Sequence, residues 1–186
     1  MTTTDAAIRA MLPLAGNQGW TWATLRGGVE AAGGDPALAE SLFPGGPTDA
    51  IAAWAALADS TMLDAAGDLA VLRVPARIRR LVELRLQQAA PDKPAVRAAL
   101  AHLALPWNLV LAARLAARTT DAMWRAAGDR SADFSWYTRR LSLGAINAAT
   151  LAYWTRDDDP DVTDALGFLD RRLGNLAWLQ RRTRRS

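Results

Sequence analysis

The side chains that carry most acid–base and nucleophilic chemistry are scarce in this sequence. Its 186 residues include one histidine, His102, and no cysteine, so a thiolate zinc site and a Cys–His dyad are excluded. Neither a G-x-S-x-G motif nor a Gly-rich phosphate loop occurs. We interpret His102 as a structural residue on the rim of a helix. The sequence therefore predicts a non-catalytic protein, and an uncharacterised enzyme is the weakest of three hypotheses.

The acidic run DDDPD at residues 157–161 suggests a calcium site at first sight. It lacks the central glycine and the distal bidentate glutamate of an EF-hand loop. A solvated turn explains it better, because acids just before a helix stabilise the positive end of its dipole. We expect neither a metal nor a cofactor.

Asp121 lies four residues before Arg125, three after Arg118 and seven after Arg114. These spacings place the carboxylate and the cations along one side of a helix, where they can pair. We predict a structural ion pair there, with Arg125 as the member placed to touch a partner.

The segment SADFSWYTRR, residues 131–140, sets two large amphipathic aromatic side chains next to each other. Adjacent helical residues point about 100° apart, so Trp136 and Tyr137 do not both face the middle of one buried stripe of ordinary width. We expect one of them at a surface. Ser131 suits the N-cap, and Asp133 in the first turn complements the helix dipole.

An all-α fold must position these residues, because Ala, Leu and Arg dominate and strand-forming residues never alternate over a useful length. Proline and glycine fall where helices begin and end: AGNQG at 15–19 closes the first helix, and Asp35 with Pro36 opens the third. The inner side of the predicted helix at 74–88 carries Ile78, Leu81, Val82 and Leu86. The predicted helices, nine in number, run over residues 4–14, 22–32, 36–43, 48–66, 74–88, 94–105, 106–127, 134–156 and 163–182. The length suits one domain with a real core, residues 1–186.

The first three predicted helices have the spacing of a helix-turn-helix, with Leu25 and Val29 facing inward. A DNA reader needs basic and amide side chains along its second helix. The only charged residues here are Asp35 and Glu40, which have the wrong sign. The pattern predicts the shape of residues 1–45 without DNA binding.

Targeting signals are absent from the opening residues, and no apolar run approaches the roughly eighteen residues of a membrane span. We expect a bacterial-type chain that stays in the cytoplasm or lies peripherally at the inner face of the membrane. The net charge is +3, and arginines are concentrated in the last residues. This basic tail, 181–186, is either an anchor to anionic surfaces or a solvated end.

The last predicted helix carries an apolar stripe at alternating spacings of four and three, which is typical of a coiled-coil seam. Its members are Val162, Leu166, Leu169, Leu173 and Leu176. The stripe predicts either a dimer interface or a face packed against its own domain.

The seventh predicted helix interleaves six alanines with leucines and Met123. Small side chains open room for a ligand, but they also let helices pack closely and remove that room. From the residues alone, close packing is the favoured interpretation.

Four segments, which follow one another in the same order as in the family, resemble the ubiquinone-biosynthesis accessory family called coenzyme Q nine. They are LFPGGPTDAI (42–51), LRVPARIRRLVELRL (72–86), LALPWNLVLAARLAARTTDAMWRAAGDRSADFSWYTRR (103–140) and AYWTRDDDPDVTDALGFLDRRL (152–173). The resemblance implies a TetR-like fold without DNA binding, a homodimer, and an isoprenoid lipid or phospholipid held in an apolar pocket. It further implies that quinone precursors are presented to a di-iron hydroxylase at a membrane surface.

The resemblance also implies two sets of residues. The partner-binding candidates are Asp133, Trp136, Tyr137 and Arg140, with Trp136 as the anchor; the alternative for Trp136 is a half-buried core aromatic. The lipid-binding candidates, within a bundle spanning 46–180, are Leu81, Leu84, Leu111, Leu115, Met123, Trp124, Ile146 and Tyr153.

Family members commonly carry a further amphipathic helix that lies on the membrane, and we expect this sequence to form no such helix. Membrane delivery is then not expected, unless Trp178 and Leu179 with the flanking arginines provide a shorter contact. The predicted function is that of a non-catalytic lipid-binding accessory protein of ubiquinone biosynthesis. A TetR-like ligand-responsive DNA-binding regulator is the alternative.

Overall fold

The computed structural model describes residues 3–128, 134–156 and 162–183, with side chains at 4–128, 140–156 and 162–174. This part of the chain is helical without strands, as the sequence predicts. Its nine α-helices are α1 (Thr3–Gln18), α2 (Trp22–Ala31), α3 (Ala39–Leu42), α4 (Pro47–Ala65), α5 (Val74–Ala89), α6 (Lys93–Leu103), α7 (Leu109–Ala126), α8 (Phe134–Trp154) and α9 (Thr163–Thr183). Short 3-10 turns at Pro36–Leu38, Ala90–Asp92 and Pro106–Asn108 lead into α3, α6 and α7.

The chain divides into two compact units, whose boundaries fall within α4 and α7 and at the end of α5. Unit 1 comprises residues 1–60 and 89–115, and unit 2 comprises residues 61–88 and 116–186. This division differs from the one predicted at residue 45, which remains a prediction.

In unit 1, Trp20 joins three helices at one point of the core. Its indole nitrogen donates a hydrogen bond to the carbonyl of Ala95 in α6 at 3.1 Å. Its ring stacks on Trp54 of α4, with centroids 5.3 Å apart. Because Trp20 directly follows the end of α1, this one side chain fixes that end against both other helices.

Helix α1 is longer than the sequence predicts. It continues past Leu14 to Gln18 and ends where Gly19 adopts φ 75°, a conformation that glycine enters without strain. Gly16, predicted as a helix terminator, instead lies where a Cβ atom would come 3.0 Å from Cβ of Pro94. Close approach of α1 to the start of α6 therefore explains this glycine.

The helix-turn-helix shape forms with α1 and α2 in close contact. A Cβ atom on Gly28 would lie 2.5 Å from Cβ of Met11, so no larger residue fits there without movement. Leu25 and Val29 are buried as predicted. The predicted third helix is a 3-10 turn followed by the four residues of α3, and Asp35 caps the turn by accepting from the backbone N–H of Ala37 at 2.9 Å.

In unit 2, α5 buries the face that the sequence predicts. Ile78, Leu81, Val82 and Leu86 are all at most 3% exposed, and Leu84 joins them at 7%. At the start of this helix, Arg77 donates to the carbonyls of Leu72, Ala127 and Ala70 at 2.8, 2.8 and 3.1 Å. This arginine ties the loop before α5 to the end of α7.

Helices α8 and α9 pack against each other, and the apolar stripe of α9 faces the interior of unit 2. Val162, Leu166 and Leu169 are 1%, 5% and 0% exposed, and Leu173 is half-buried. Leu176 lies outside the residues with described side chains. The described members of the stripe therefore pack against their own unit, which is the second of the two predicted uses.

Candidate functional site

Asp121 on α7 is the centre of a charged cluster in unit 2. Its carboxylate accepts a hydrogen bond from Nε of Arg140 on α8 at 3.0 Å and pairs with Arg125 one turn further along α7. The pair with Arg125 confirms the prediction from spacing. Arg140 is nineteen residues from Asp121, and no local pattern could have indicated that contact.

The three side chains of this cluster differ sharply in exposure. Arg140 is 11% exposed, Asp121 31% and Arg125 70%. Arg140 was expected to face a partner, but its side chain is instead largely buried against α7. Arg125 is the member of the cluster that a partner can reach.

The other predicted partner-binding residues are only partly described. Asp133 lies outside the described residues, and Trp136 and Tyr137 lie in the helical backbone of α8 without described side chains. Trp136 precedes Arg140 by one helical turn, so the two positions share a face of α8. Of the four predicted residues, the structure brings Arg140 to the Asp121 cluster and leaves the other three untested.

The predicted lipid-binding residues divide between the two units. Leu81, Leu84 and Met123 are buried in unit 2, and Trp124 and Ile146 are half-buried there. Leu115 belongs instead to the core of unit 1, and Leu111 packs against that core. The family resemblance gave both leucines as candidates, and no local pattern could indicate which core they join. The use of these residues in lipid binding stays a prediction.

Trp124 carries an unmet hydrogen-bonding group. Its indole nitrogen is buried and has no acceptor among the described residues. A buried donor without a partner costs roughly 1–3 kcal/mol, and native proteins rarely retain one without a reason. Sequence reasoning chose Trp124 through the family resemblance alone and could not have found this feature.

Tyr153 lies apart from the buried candidates. It is 38% exposed, and its ring stacks on that of Phe168 in α9 with centroids 4.9 Å apart. The guanidinium of Arg172 lies over the ring of Phe168. With Ala149, Ala152 and Arg156, Tyr153 lines an open hollow of about 580 Å³ on α8. The alanines of α7 give no buried lining either, because Ala113 and Ala117 are exposed and the other four are half-buried.

The described residues contain no group of three histidine, aspartate or glutamate side chains placed to hold a metal ion. Burial raises the pKa of the Asp92 carboxyl above its ordinary value; Asp92 lies in unit 1, just before α6. The acidic run at 157–161 lies outside the described residues.

Comparison with known proteins shows a family match over the region that contains the Asp121 cluster. The model of the COQ9 family matches residues 109–180. Residues 109–180 are a COQ9-family segment. This is the coenzyme Q nine family that the sequence resembles, and the match includes Asp121, Trp124, Arg125 and Arg140.

Individual COQ9 proteins extend the similarity beyond this segment. The human mitochondrial ubiquinone biosynthesis protein COQ9 is 39% identical over 98 residues, 53% of this chain and 31% of that protein. Its counterpart from Drosophila melanogaster is 30% identical over 169 residues, 88% of this chain and 52% of that protein. The chain thus spans between about a third and about half of the length of these COQ9 relatives.

The fold is that of the TetR family, as the resemblance implied. A TetR transcriptional regulator from Nitrosomonas europaea superposes with a TM-score of 0.74, covering 94% of this chain and 98% of the regulator. The two sequences are 22% identical, so the likeness concerns the fold alone.

The COQ9 relatives are mitochondrial proteins by name, and the expectation of a bacterial-type chain stays a prediction. Among the described helices, none alone has the length and apolar composition needed to cross a membrane. The stretches Val74–Leu103 and Pro106–Ala126 meet that requirement only together, as a bent pair. The cytoplasmic or peripheral location remains a prediction.

Replacement of Asp121 by Asn tests whether this cluster holds α8 against α7. The change keeps the shape of the side chain and removes the charge that the largely buried Arg140 meets. We expect the free energy of unfolding in urea to fall by about 1–3 kcal/mol. Asp170→Asn is the matched control, because it breaks the more exposed Arg79–Asp170 pair (2.9 Å), and its expected cost is about 0–1 kcal/mol. Equal costs for the two variants would contradict this role.

Proposed function

We propose that this chain is a non-catalytic accessory protein of ubiquinone biosynthesis that binds an isoprenoid or quinone lipid and presents it to a di-iron hydroxylase. The COQ9-family segment at 109–180 carries the proposal, because the COQ9 relatives are ubiquinone biosynthesis proteins by name. The non-catalytic character follows from the scarcity of acid–base and nucleophilic residues in the sequence.

The buried indole N–H of Trp124 supports a ligand with a polar end and an apolar body. A quinone carbonyl or a lipid ester oxygen accepts such a hydrogen bond, while the buried Met123 on the same helix offers an adaptable apolar wall. Leu81 and Leu84 of α5 add apolar surface within the same unit. The ligand we propose therefore has its acceptor at Trp124 and its isoprenoid tail among the apolar residues of unit 2.

Extraction of the purified protein with organic solvent, followed by mass spectrometry, tests the ligand. We expect an isoprenoid, quinone or phospholipid to co-purify. Trp124→Phe keeps most of the apolar volume but removes the N–H, so retention should fall by about tenfold, the value of one hydrogen bond. Trp54→Phe, which alters a half-buried tryptophan in unit 1, is the control and should retain the lipid. Absence of lipid from the wild-type protein would overturn the proposal.

The hydroxylase is proposed to dock where α7 meets the first turns of α8. The exposed guanidinium of Arg125 and the positions of Trp136 and Tyr137 lie on these two helices. Tryptophan, tyrosine and arginine dominate the binding energy of protein interfaces once they are desolvated. The Asp121 cluster supports this surface, because the hydrogen bond between Arg140 and Asp121 joins α8 to α7.

Replacement of Trp136 by Ala tests docking through a capture assay with the purified hydroxylase. Loss of an interface anchor of about 2 kcal/mol should weaken binding by about thirtyfold while the helical content stays unchanged. Trp107→Ala is the control, because Trp107 is 75% exposed but lies in unit 1. Global unfolding of the Trp136 variant would show that this residue is core, and unchanged capture would show that the partner binds elsewhere.

A homodimer is proposed through α8 rather than through the buried stripe of α9. One face of α8 exposes residues at helical spacing that are small except for the first: Leu141, Ala145, Ala148, Ala149 and Ala152; the other exposed residue with a described side chain on this helix is Tyr153. Small side chains let two helices approach closely, and Leu141 is 75% exposed in the single chain. A second copy of α8 covers such a face.

Replacement of Ala148 by Arg tests this dimer. The long charged side chain would hold the two helices apart, so sedimentation equilibrium should change from twice the chain mass of 20.0 kDa to that mass alone. Ala76→Arg adds the same side chain at an exposed position of α5 and should leave the dimer intact. A dimer that survives Ala148→Arg would exclude this face.

The regulator alternative gains no support from the helix-turn-helix portion. Glu40 of α3 forms an ion pair with Arg26 of α2. The exposed side of the second helix of the helix-turn-helix therefore presents Ala37, Leu38 and Ser41 beside a carboxylate that is already paired. No base-reading or phosphate-binding side chain stands on it.

A further inference from the structure

Three large apolar side chains are exposed at the corner between α6 and α7 in unit 1. Trp107 is 75% exposed, Val110 63% and Leu109 54%. We name these three residues, with Arg114, the corner patch. Single exposed apolar side chains are ordinary, but a contiguous group that includes tryptophan marks a binding surface.

The backbone of the corner is held so that these side chains point outward. Asn108 is 6% exposed and donates through its side chain to the carbonyl of His102 at 2.9 Å. Its backbone N–H bonds the carbonyl of Leu105 at 2.8 Å, and Pro106 fixes the turn between them. Because Asn108 is the inward residue, its neighbours Trp107 and Leu109 are left outside. The patch is therefore built into the corner and does not result from a loose loop.

The charge around the corner patch has one sign. Val110 and the exposed Arg114 are one turn apart on α7, and Trp107 lies one turn before Val110, so the three share a face. The sequence from Lys93 to Thr120 contains no aspartate or glutamate. Its cations are Lys93, Arg97, Arg114 and Arg118. An apolar surface with tryptophan at its edge and the exposed cation Arg114 beside it complements an anionic lipid surface.

We propose that the corner patch docks this protein on an anionic membrane surface. Trp107 sits at the level of the headgroups, Leu109 and Val110 enter the boundary of the acyl chains, and Arg114 meets lipid phosphates. This surface belongs to unit 1 and differs from the contact expected of Trp178 and Leu179. The inference goes beyond the proposed function, since it requires neither a lipid inside unit 2 nor a hydroxylase.

Co-sedimentation with vesicles tests the proposal. The wild-type chain should bind vesicles of phosphatidylcholine mixed with phosphatidylglycerol, bind pure phosphatidylcholine more weakly, and lose affinity as salt rises. Val110→Asp and Trp107→Ala should each lower the affinity for the anionic vesicles by about tenfold. Val71→Asp is the matched control, because Val71 is 81% exposed in the turn before α5, and it should bind as the wild type does.

Two further measurements separate a membrane contact from a protein contact. Vesicles with brominated acyl chains should quench tryptophan fluorescence in the wild type, and Trp107→Phe should remove most of that quenching. Sedimentation equilibrium should give the same mass for the wild type and Val110→Asp. A lower mass for Val110→Asp would mean that a second copy covers the patch. That result, or equal vesicle binding by the Val110→Asp and Val71→Asp variants, would overturn the proposal.

Discussion

The proposed partner surface depends on one ion pair, in which the Arg140 guanidinium donates a hydrogen bond to the Asp121 carboxylate. A guanidinium that is 11% exposed has lost most of its water, so it needs a charged partner within hydrogen-bond distance. Asp121 supplies that partner from α7 and thereby fixes the rotation and height of α8 near its first turns. Trp136 and Tyr137 belong to the helical backbone of those turns, and Asp121 lies nineteen positions before Arg140. Arg125, bound to the same carboxylate, remains exposed at the edge of this arrangement.

The residue types along the chain predicted the helices well, because proline, glycine and capping residues mark where helices begin and end. Asp35 and Pro36 start a turn as expected, and the inward face of α5 followed from its period. Contacts between distant residues were not predictable in this way. Gly16 was taken for a terminator because the contact that requires it involves Pro94, far along the chain. Leu111 and Leu115 join or pack against the core of unit 1, which no local pattern could indicate, since periodicity gives a buried face but not its partner.

Fold and function separate clearly at the N-terminal end of the chain. The TetR-like likeness concerns shape, and shape survives wherever helices keep their small contact residues, such as Gly28 against Met11. DNA binding requires positive charge on the exposed side of that fold as well. The nearby cation, Arg26, is instead paired with Glu40 of the same unit. The sequence alone gives this charge pattern, because the sign of charge on a short helix does not depend on tertiary structure, and the absence of DNA binding stays a prediction.

Two features that point to function depart from the usual distribution of polar and apolar groups: one is a buried polar group without a partner, and the other is a set of exposed apolar side chains. Unit 2 buries a donor, the Trp124 indole N–H, without an acceptor, and unit 1 exposes the apolar side chains of Trp107, Leu109 and Val110. Each exception costs free energy in the isolated chain, and each is a place where we propose a lipid contact, in one case with a polar atom of a bound molecule and in the other with a membrane. A chain selected for stability alone would pair that donor and cover that corner. The two exceptions therefore support a protein whose working surroundings include lipid, both within one unit and beneath the other.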